Sequence, residues 1–147
     1  MDEIYQAIPH RPPFLFVDEI VSITDTGIVA AKTLDPEEAF FKGHYPGYPI
    51  MPGVLLCEAI FQAAAIFLSH TVAVVGEREI PVLTRISNAR FKNMVFPGDR
   101  LRLRAQLVEQ MQNVFFMKGS ATVDGRAAVT VEFACALAEK KAIKMGA

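Results

Sequence analysis

Residues 54–68 read VLLCEAIFQAAAIFL, an apolar run broken only by Glu58 and Gln62. The apolar positions follow neither a period of two nor a one-sided period of 3.6, so the pattern predicts a helix that is apolar nearly all round. Such a helix is expected inside a fold with every face covered, and at 1.5 Å per residue it would extend ~22 Å. Pro52 and Gly53 suit its start, and Ser69 to Thr71 its end. The longer run 54–75 approaches the ~20 residues that a membrane span requires. Glu58, Gln62, Ser69 and His70 lie within it and strand-like sequence follows, so a buried helix is expected and no membrane span.

The rest of the chain supplies the cover. FLFVDEIVSIT (14–24) and GIVAAKTL (27–34) read as strands joined by a hairpin at Asp25-Thr26-Gly27. DPEEAF (35–40) reads as an Asp-initiated helical turn, and a Pro/Gly loop fills 43–53. EIPVLTRISNARFKN (79–93) reads as a strand, followed by a turn at Pro97-Gly98-Asp99. In RLRLRAQLVEQ (100–110), Leu101, Leu103, Ala105 and Leu107 alternate with Arg102, Arg104 and Gln106. NVFFMKGSATV (113–123) and RAAVTVEFACALA (126–138) flank Asp124-Gly125, a strong hairpin signal, and about 139–147 is expected to be a loose tail. One early helix and five or six mostly antiparallel strands give an α+β class: a single domain, 1–147, with a sheet curling around the helix.

The totals narrow the function classes. A chain of 147 residues, 52% hydrophobic and 21% charged, holds one substantial core. A net charge of −1 gives no general attraction to nucleic acid. The acidic start MDEIYQAIPHRPP lacks the apolar centre of a secretory signal, so a cytoplasmic location is the default expectation. Cys57 and Cys135 both lie in apolar runs and are expected as buried reduced thiols. Phosphate-cradling glycine loops, C-x-x-C, H-E-x-x-H and G-x-S-x-G are missing from the sequence. His10, His44 and His70 have no metal-ligand spacing, so no metal is expected.

Two residues stand out as acid–base candidates. His44 has a side chain whose ordinary pKa, near 6.5, suits a proton acceptor at neutral pH. Glu58 on an apolar helix is expected to be desolvated and able to hold a proton. Gln62, four residues on, shares its helix face. The loop also feeds a helix start, whose free N–H groups favour developing negative charge. These parts suit proton abstraction beside a carbonyl, although a turn histidine and a structurally paired glutamate remain open readings. Pro46, Pro49 and Pro52 read as loop stiffeners, with a polyproline ligand as the alternative. Cys57 reads as core packing rather than a nucleophile, His70 as a helix C-terminal residue, and Arg102 and Arg104 as a solvated strand face.

IPHRPPFLFVDEI (8–20), FFKGHYPGYPIMPGVLLCEAIFQAAA (40–65) and ARFKNMVFPGD (89–99) resemble, in this order, the FabZ-type (3R)-hydroxyacyl-acyl carrier protein dehydratases. The resemblance spans nearly the whole chain and fades at the tail. It implies the hotdog fold and a lyase of type II fatty acid synthesis that uses no cofactor. His44 matches the family's catalytic histidine and Glu58 its catalytic glutamate. The N–H groups at Gly53 and Val54 match those that polarise the thioester carbonyl, and Gln62 matches a glutamine beside the acid. The resemblance further implies a site shared across a homodimer, with three dimers forming a homohexamer. The substrate arrives on acyl carrier protein, an acidic partner, which makes Arg90 and Lys92 docking candidates.

Some positions depart from the family pattern. Tyr45 stands where Phe is common, adding a hydroxyl near the site, and Phe61 stands where Ala is common. The Phe61 ring would either fill core space or narrow the acyl tunnel. Glu rather than Asp at position 58 favours the FabZ type over the related dehydratase-isomerase. A hotdog thioesterase, an enoyl-CoA hydratase, or an idle acyl-ACP-binding hotdog subunit are the competing readings.

Overall fold

The computed structural model describes residues 1–71 and 79–141. Among these described residues, nine elements run in the order α1 (Asp2–Ala7), β1 (Glu19–Ile23), β2 (Gly27–Thr33), α2 (Ala39–Gly43), α3 (Gly53–Thr71), β3 (Glu79–Phe91), β4 (Arg100–Met111), β5 (Val114–Val123) and β6 (Arg126–Glu139). The strands form one sheet in the order β1-β2-β4-β5-β6-β3, every neighbouring pair antiparallel. The inner face of this sheet carries Leu101, Leu103, Ala105, Phe115, Met117, Ala121, Val129, Val131 and Phe133, all buried. α3 lies against them with Ala59, Ile60, Ala63, Ala64, Ile66, Phe67 and Leu68 essentially inaccessible to solvent. Arg102, Arg104 and Gln106 fall on the opposite face, as strand alternation requires.

Close approach of helix and sheet explains one glycine. A methyl group on Gly119 of β5 would lie 2.4 Å from Ile60 Cγ2 and 2.8 Å from the Arg104 carbonyl oxygen. Ile60 is fully buried and the second neighbour is backbone, so neither can move cheaply. Gly119→Ala is therefore expected to cost about 1–3 kcal/mol through overpacking. Urea unfolding of the variant beside wild type measures it, and an unchanged midpoint would show slack between α3 and β5.

The turns are partly as expected. Asp124 (φ 50°) and Gly125 (φ 79°) both take the left-handed conformation that a type I′ hairpin demands. The β1–β2 hairpin closes with Thr24 N–H donating to the Gly27 carbonyl at 2.9 Å. Gly27 there serves β4 rather than the turn, because a Cβ would sit 2.7 Å from the Ala105 carbonyl oxygen.

The first strand is shorter than the sequence indicates. β1 begins at Glu19, and the backbone of Phe14–Phe16 pairs instead with a side chain of α3. Gln62 Oε1 accepts the Phe16 N–H at 2.8 Å and Gln62 Nε2 donates to the Phe14 carbonyl at 2.8 Å. A buried amide thus replaces a strand neighbour. α1 was not foreseen; its six residues bury only Ile4, too little for a visible period. The Asp35 turn exists, with Asp35 Oδ1 accepting the Glu37 N–H, but the helical residues that follow run Ala39–Gly43. Buried Lys32 of β2 anchors that start through Glu38 at 2.8 Å and Asp18 at 3.5 Å. β6 continues to Glu139, paired with Glu79, while tail residues 142–147 and residues 72–75 of the long apolar run lie outside the described residues.

One expectation needs correction. The described residues do not cover α3 all round: Val54 is 72% exposed, and Glu58, Phe61 and Ala65 on the same stripe are half-buried. The neighbouring edge strand β3 likewise leaves Leu83, Ile86 and Phe91 exposed, although they share the inner face with their partners Cys135, Phe133 and Val129. A single sheet can cover only the side of a helix that faces it.

Candidate active site

His44 follows directly after α2, with its N–H on the Phe40 carbonyl. The loop behind it is tied at several points. Tyr48 N–H donates to Tyr45 O at 2.8 Å and Met51 N–H to Val95 O at 2.9 Å. Tyr45 sits at φ 62°, a conformation costly for a bulky residue, and its ring lies tilted against the imidazole with centroids 4.6 Å apart. His44 Nδ1 lies 3.0 Å from the Ile50 carbonyl oxygen. A carbonyl can only accept, so Nδ1 carries the hydrogen and Nε2 presents a lone pair. These ties hold the loop in which Ile50 O fixes the tautomer of the His44 ring.

The imidazole borders a cavity of about 440 Å³ that also touches Tyr45, Gly53, Leu56, Phe91 and Lys92. Gly53 opens α3, where the first N–H groups have no partner within the helix. The Phe91 ring fills the place of a Cβ there, at 2.7 Å. His44 and Gly53, the first residue of α3, therefore border one cavity.

Glu58 is elsewhere on the helix. At 100° per residue it leaves α3 about 200° around from Leu56, on the far side from the His44 cavity. Its side chain is 26% exposed, so the described residues bury it only in part. Gln62 Nε2 donates to Glu58 Oε1 at 3.1 Å, as the four-residue spacing foresaw. His10 Nε2 approaches the same oxygen at 3.6 Å. Phe61, one position before Gln62, lays its ring 4.8 Å from that of Phe133 on β6.

Arg90 and Lys92 lie on the outer sheet face, where they border a trough of about 460 Å³ with Arg104 and Lys118. Lys92 borders the His44 cavity as well. Of the residues set aside, Cys57 is buried and burial pushes its thiol pKa up, while that of Cys135 is raised to about 11. Both are packing residues rather than nucleophiles at neutral pH. His70 closes the last turn of α3, its Nδ1 2.9 Å from the Ile66 carbonyl.

A family model described as a FabA-like domain matches residues 8–132. The 3-hydroxyacyl-[acyl-carrier-protein] dehydratase FabZ of Clostridium perfringens (strain SM101 / Type A) is 42% identical over 137 residues, covering 93% of this chain and 97% of that protein. The chain belongs to the FabZ dehydratase family. The FabZ dehydratase of Myxococcus xanthus (strain DK1622) is 41% identical over 141 residues, covering 95% and 92% of the two chains.

Solved structures agree on the fold. The dehydratase heterocomplex ApeI:P from Xenorhabdus doucetiae superposes with a TM-score of 0.80 at 15% identity, over 93% of this chain and 91% of that one. A hypothetical thioesterase with coenzyme A from Streptococcus pneumoniae TIGR4 gives 0.69 at 14% identity, over 97% and 99%. The six-stranded sheet around one long helix is the hotdog fold. For a FabZ-family chain, the contact that sequence reasoning missed is His10 against Glu58. Its signal was the PHR triplet ahead of an apolar run, two prolines away from the segment that Gln62 pins.

Proposed function

We propose that this FabZ-family hydro-lyase uses His44 of one subunit and Glu58 of a second to convert (3R)-hydroxyacyl-ACP to trans-2-enoyl-ACP. The observation that carries the reading is the Nδ1 contact of His44 with the Ile50 carbonyl, which leaves Nε2 as a free base beside a helix start. Nε2 takes the α-proton of the thioester, and the N–H groups of Gly53 and Val54 receive the negative charge that grows on its carbonyl oxygen. Glu58 gives its proton to the 3-hydroxyl, which leaves as water while the α–β double bond forms. The proton now on His44 and the one lost by Glu58 balance through solvent, restoring both groups.

Two features support a site shared between subunits. His44 and Glu58 occupy opposite sides of α3, so one small thioester cannot sit between them within one chain. The exposed stripe around Glu58 and the uncovered edge of β3 form a continuous apolar margin of the kind that a second copy covers. Covering it would also remove Glu58 from water, the environment an acid of this type needs. Assembly of three such dimers into a homohexamer belongs to the same reading.

Acyl carrier protein, an acidic partner, fits the trough bordered by Arg90, Lys92, Arg104 and Lys118. Lys92 borders both that trough and the His44 cavity, which gives the phosphopantetheine arm a short way in. α3 is long and apolar enough to cross a membrane but is largely packed inside the fold, and the reading places the enzyme in the cytoplasm.

The test is turnover of 3-hydroxyacyl-ACP substrates of increasing chain length. Enoyl-ACP as product supports a dehydratase. Free thiol would indicate a thioesterase, turnover confined to enoyl-CoA a hydratase, and binding without conversion an idle subunit. Phe61→Ala, assayed on the same series, is expected to shift preference toward longer chains by about tenfold or more in kcat/KM, the scale of at least one methylene in an apolar pocket. An unchanged preference would reduce Phe61 to its packing on Phe133.

A further inference from the structure

We propose that His10 is a positioning residue for Glu58. Its Nε2–H and the Gln62 amide converge on Glu58 Oε1, so that the deliverable proton sits on Oε2. The inference rests on the acid role given to Glu58 above.

The orientation of Gln62 is fixed by its other partners. Its Oε1 accepts the Phe16 N–H at 2.8 Å, so the nitrogen is the atom that faces Phe14 O and Glu58. Glu58 Oε1 therefore receives an N–H, and His10 Nε2 stands 3.6 Å from that same oxygen. This is just beyond hydrogen-bond length, a gap of the kind that tightens when substrate binds.

The chemistry of His10 sets which nitrogen carries its hydrogen. Burial lowers its pKa below the ordinary value, against the opposing pull of Glu58 and with the help of Arg11, which favours the neutral ring. Its Nδ1 is buried and has no hydrogen-bond partner among the described residues. An N–H placed there would be a buried donor without an acceptor, whereas on Nε2 it faces the carboxyl group. The backbone at this position is clamped, too. The Arg11 guanidinium donates to the carbonyls of Ile8, His10 and Tyr5 and lies 4.3 Å from the Tyr5 ring centroid. An oxygen that accepts the Gln62 N–H and faces a second donor at 3.6 Å is a poor place for a proton. Oε2, which makes no hydrogen bond to a described residue, is the oxygen left to hold one.

The test uses the intact enzyme, with His10→Ala and His10→Gln made alone and combined with Glu58→Gln. His10→Ala is expected to lower kcat by about tenfold or more with KM unchanged, the coupling typical of neighbours in one network. His10→Gln, which restores an amide N–H, should recover most of that loss. In the Glu58→Gln background, His10→Ala should add nothing. Nitrogen NMR of the imidazole should show an Nε2–H tautomer whose shifts move in Glu58→Gln. A kcat within twofold of wild type for His10→Ala, losses that multiply in the double variant, or an Nδ1–H tautomer would each overturn the proposal. If wild type dehydrates nothing, the functional reading fails separately, and the tautomer and its response to Glu58→Gln still decide the contact.

Discussion

His44→Ala is expected to lower kcat for dehydration by about 10²- to 10⁴-fold, the range associated with loss of a general base. The melting temperature should stay within about 2 °C of wild type, because the side chain is half-buried at a cavity rim and belongs to no packed layer. The stiff loop is held by backbone bonds that survive the substitution: Tyr48 to Tyr45, Met51 to Val95 and Ile50 to His44. What disappears is the Nε2 lone pair that Ile50 O secures through Nδ1. Steady-state kinetics on 3-hydroxyacyl-ACP beside thermal unfolding separates the two effects. A variant with full activity would remove His44 from the chemistry.

Glu58→Gln should have a loss of the same order, about 10²- to 10⁴-fold in kcat, with KM little changed. The amide has nearly the shape of the carboxyl group and can still accept the Gln62 N–H at the same place, so the helix and its pinned neighbour segment should be undisturbed. It cannot give a proton to a departing hydroxyl. A loss confined to KM would instead mark Glu58 as a binding residue, and retained activity would leave its contacts with Gln62 and His10 as purely structural.

The strong periodic signals in the sequence carried the fold, and the weak ones did not. Alternation in RLRLRAQLVEQ and the Asp124-Gly125 turn translated directly into β4 and the β5–β6 hairpin, because both are local properties of the chain. α3 was legible for the same reason. Its exposed stripe was not, since hydrophobicity alone does not say whether a chain covers its own helix or leaves a face for a copy of itself. Phe14–Val17 looked like strand because its residues favour one, yet the partner of its backbone is Gln62, 46 positions from Phe16 in sequence. His44 and Glu58 were visible as residue types in an unusual setting, and the family motifs gave them roles. Their placement on opposite sides of α3 comes from the fold, which seats the His44 loop against Gly53 and Leu56. His10 escaped notice because a histidine beside prolines carries no period, and only the fold brings it to Glu58.

The central claim is that one working site takes its base and its acid from different subunits. It is tested by unfolding His44→Ala and Glu58→Gln proteins together, refolding the mixture and assaying dehydration. Half the dimers in an equal mixture are hybrids. Each hybrid restores one site from the His44 of one subunit and the Glu58 of the other, so activity should return to about a quarter of wild type. Each variant refolded alone should remain inactive. A mixture no more active than the separate variants, with hybrids shown to form, would mean that each subunit needs its own His44 and Glu58, and the shared site would be wrong.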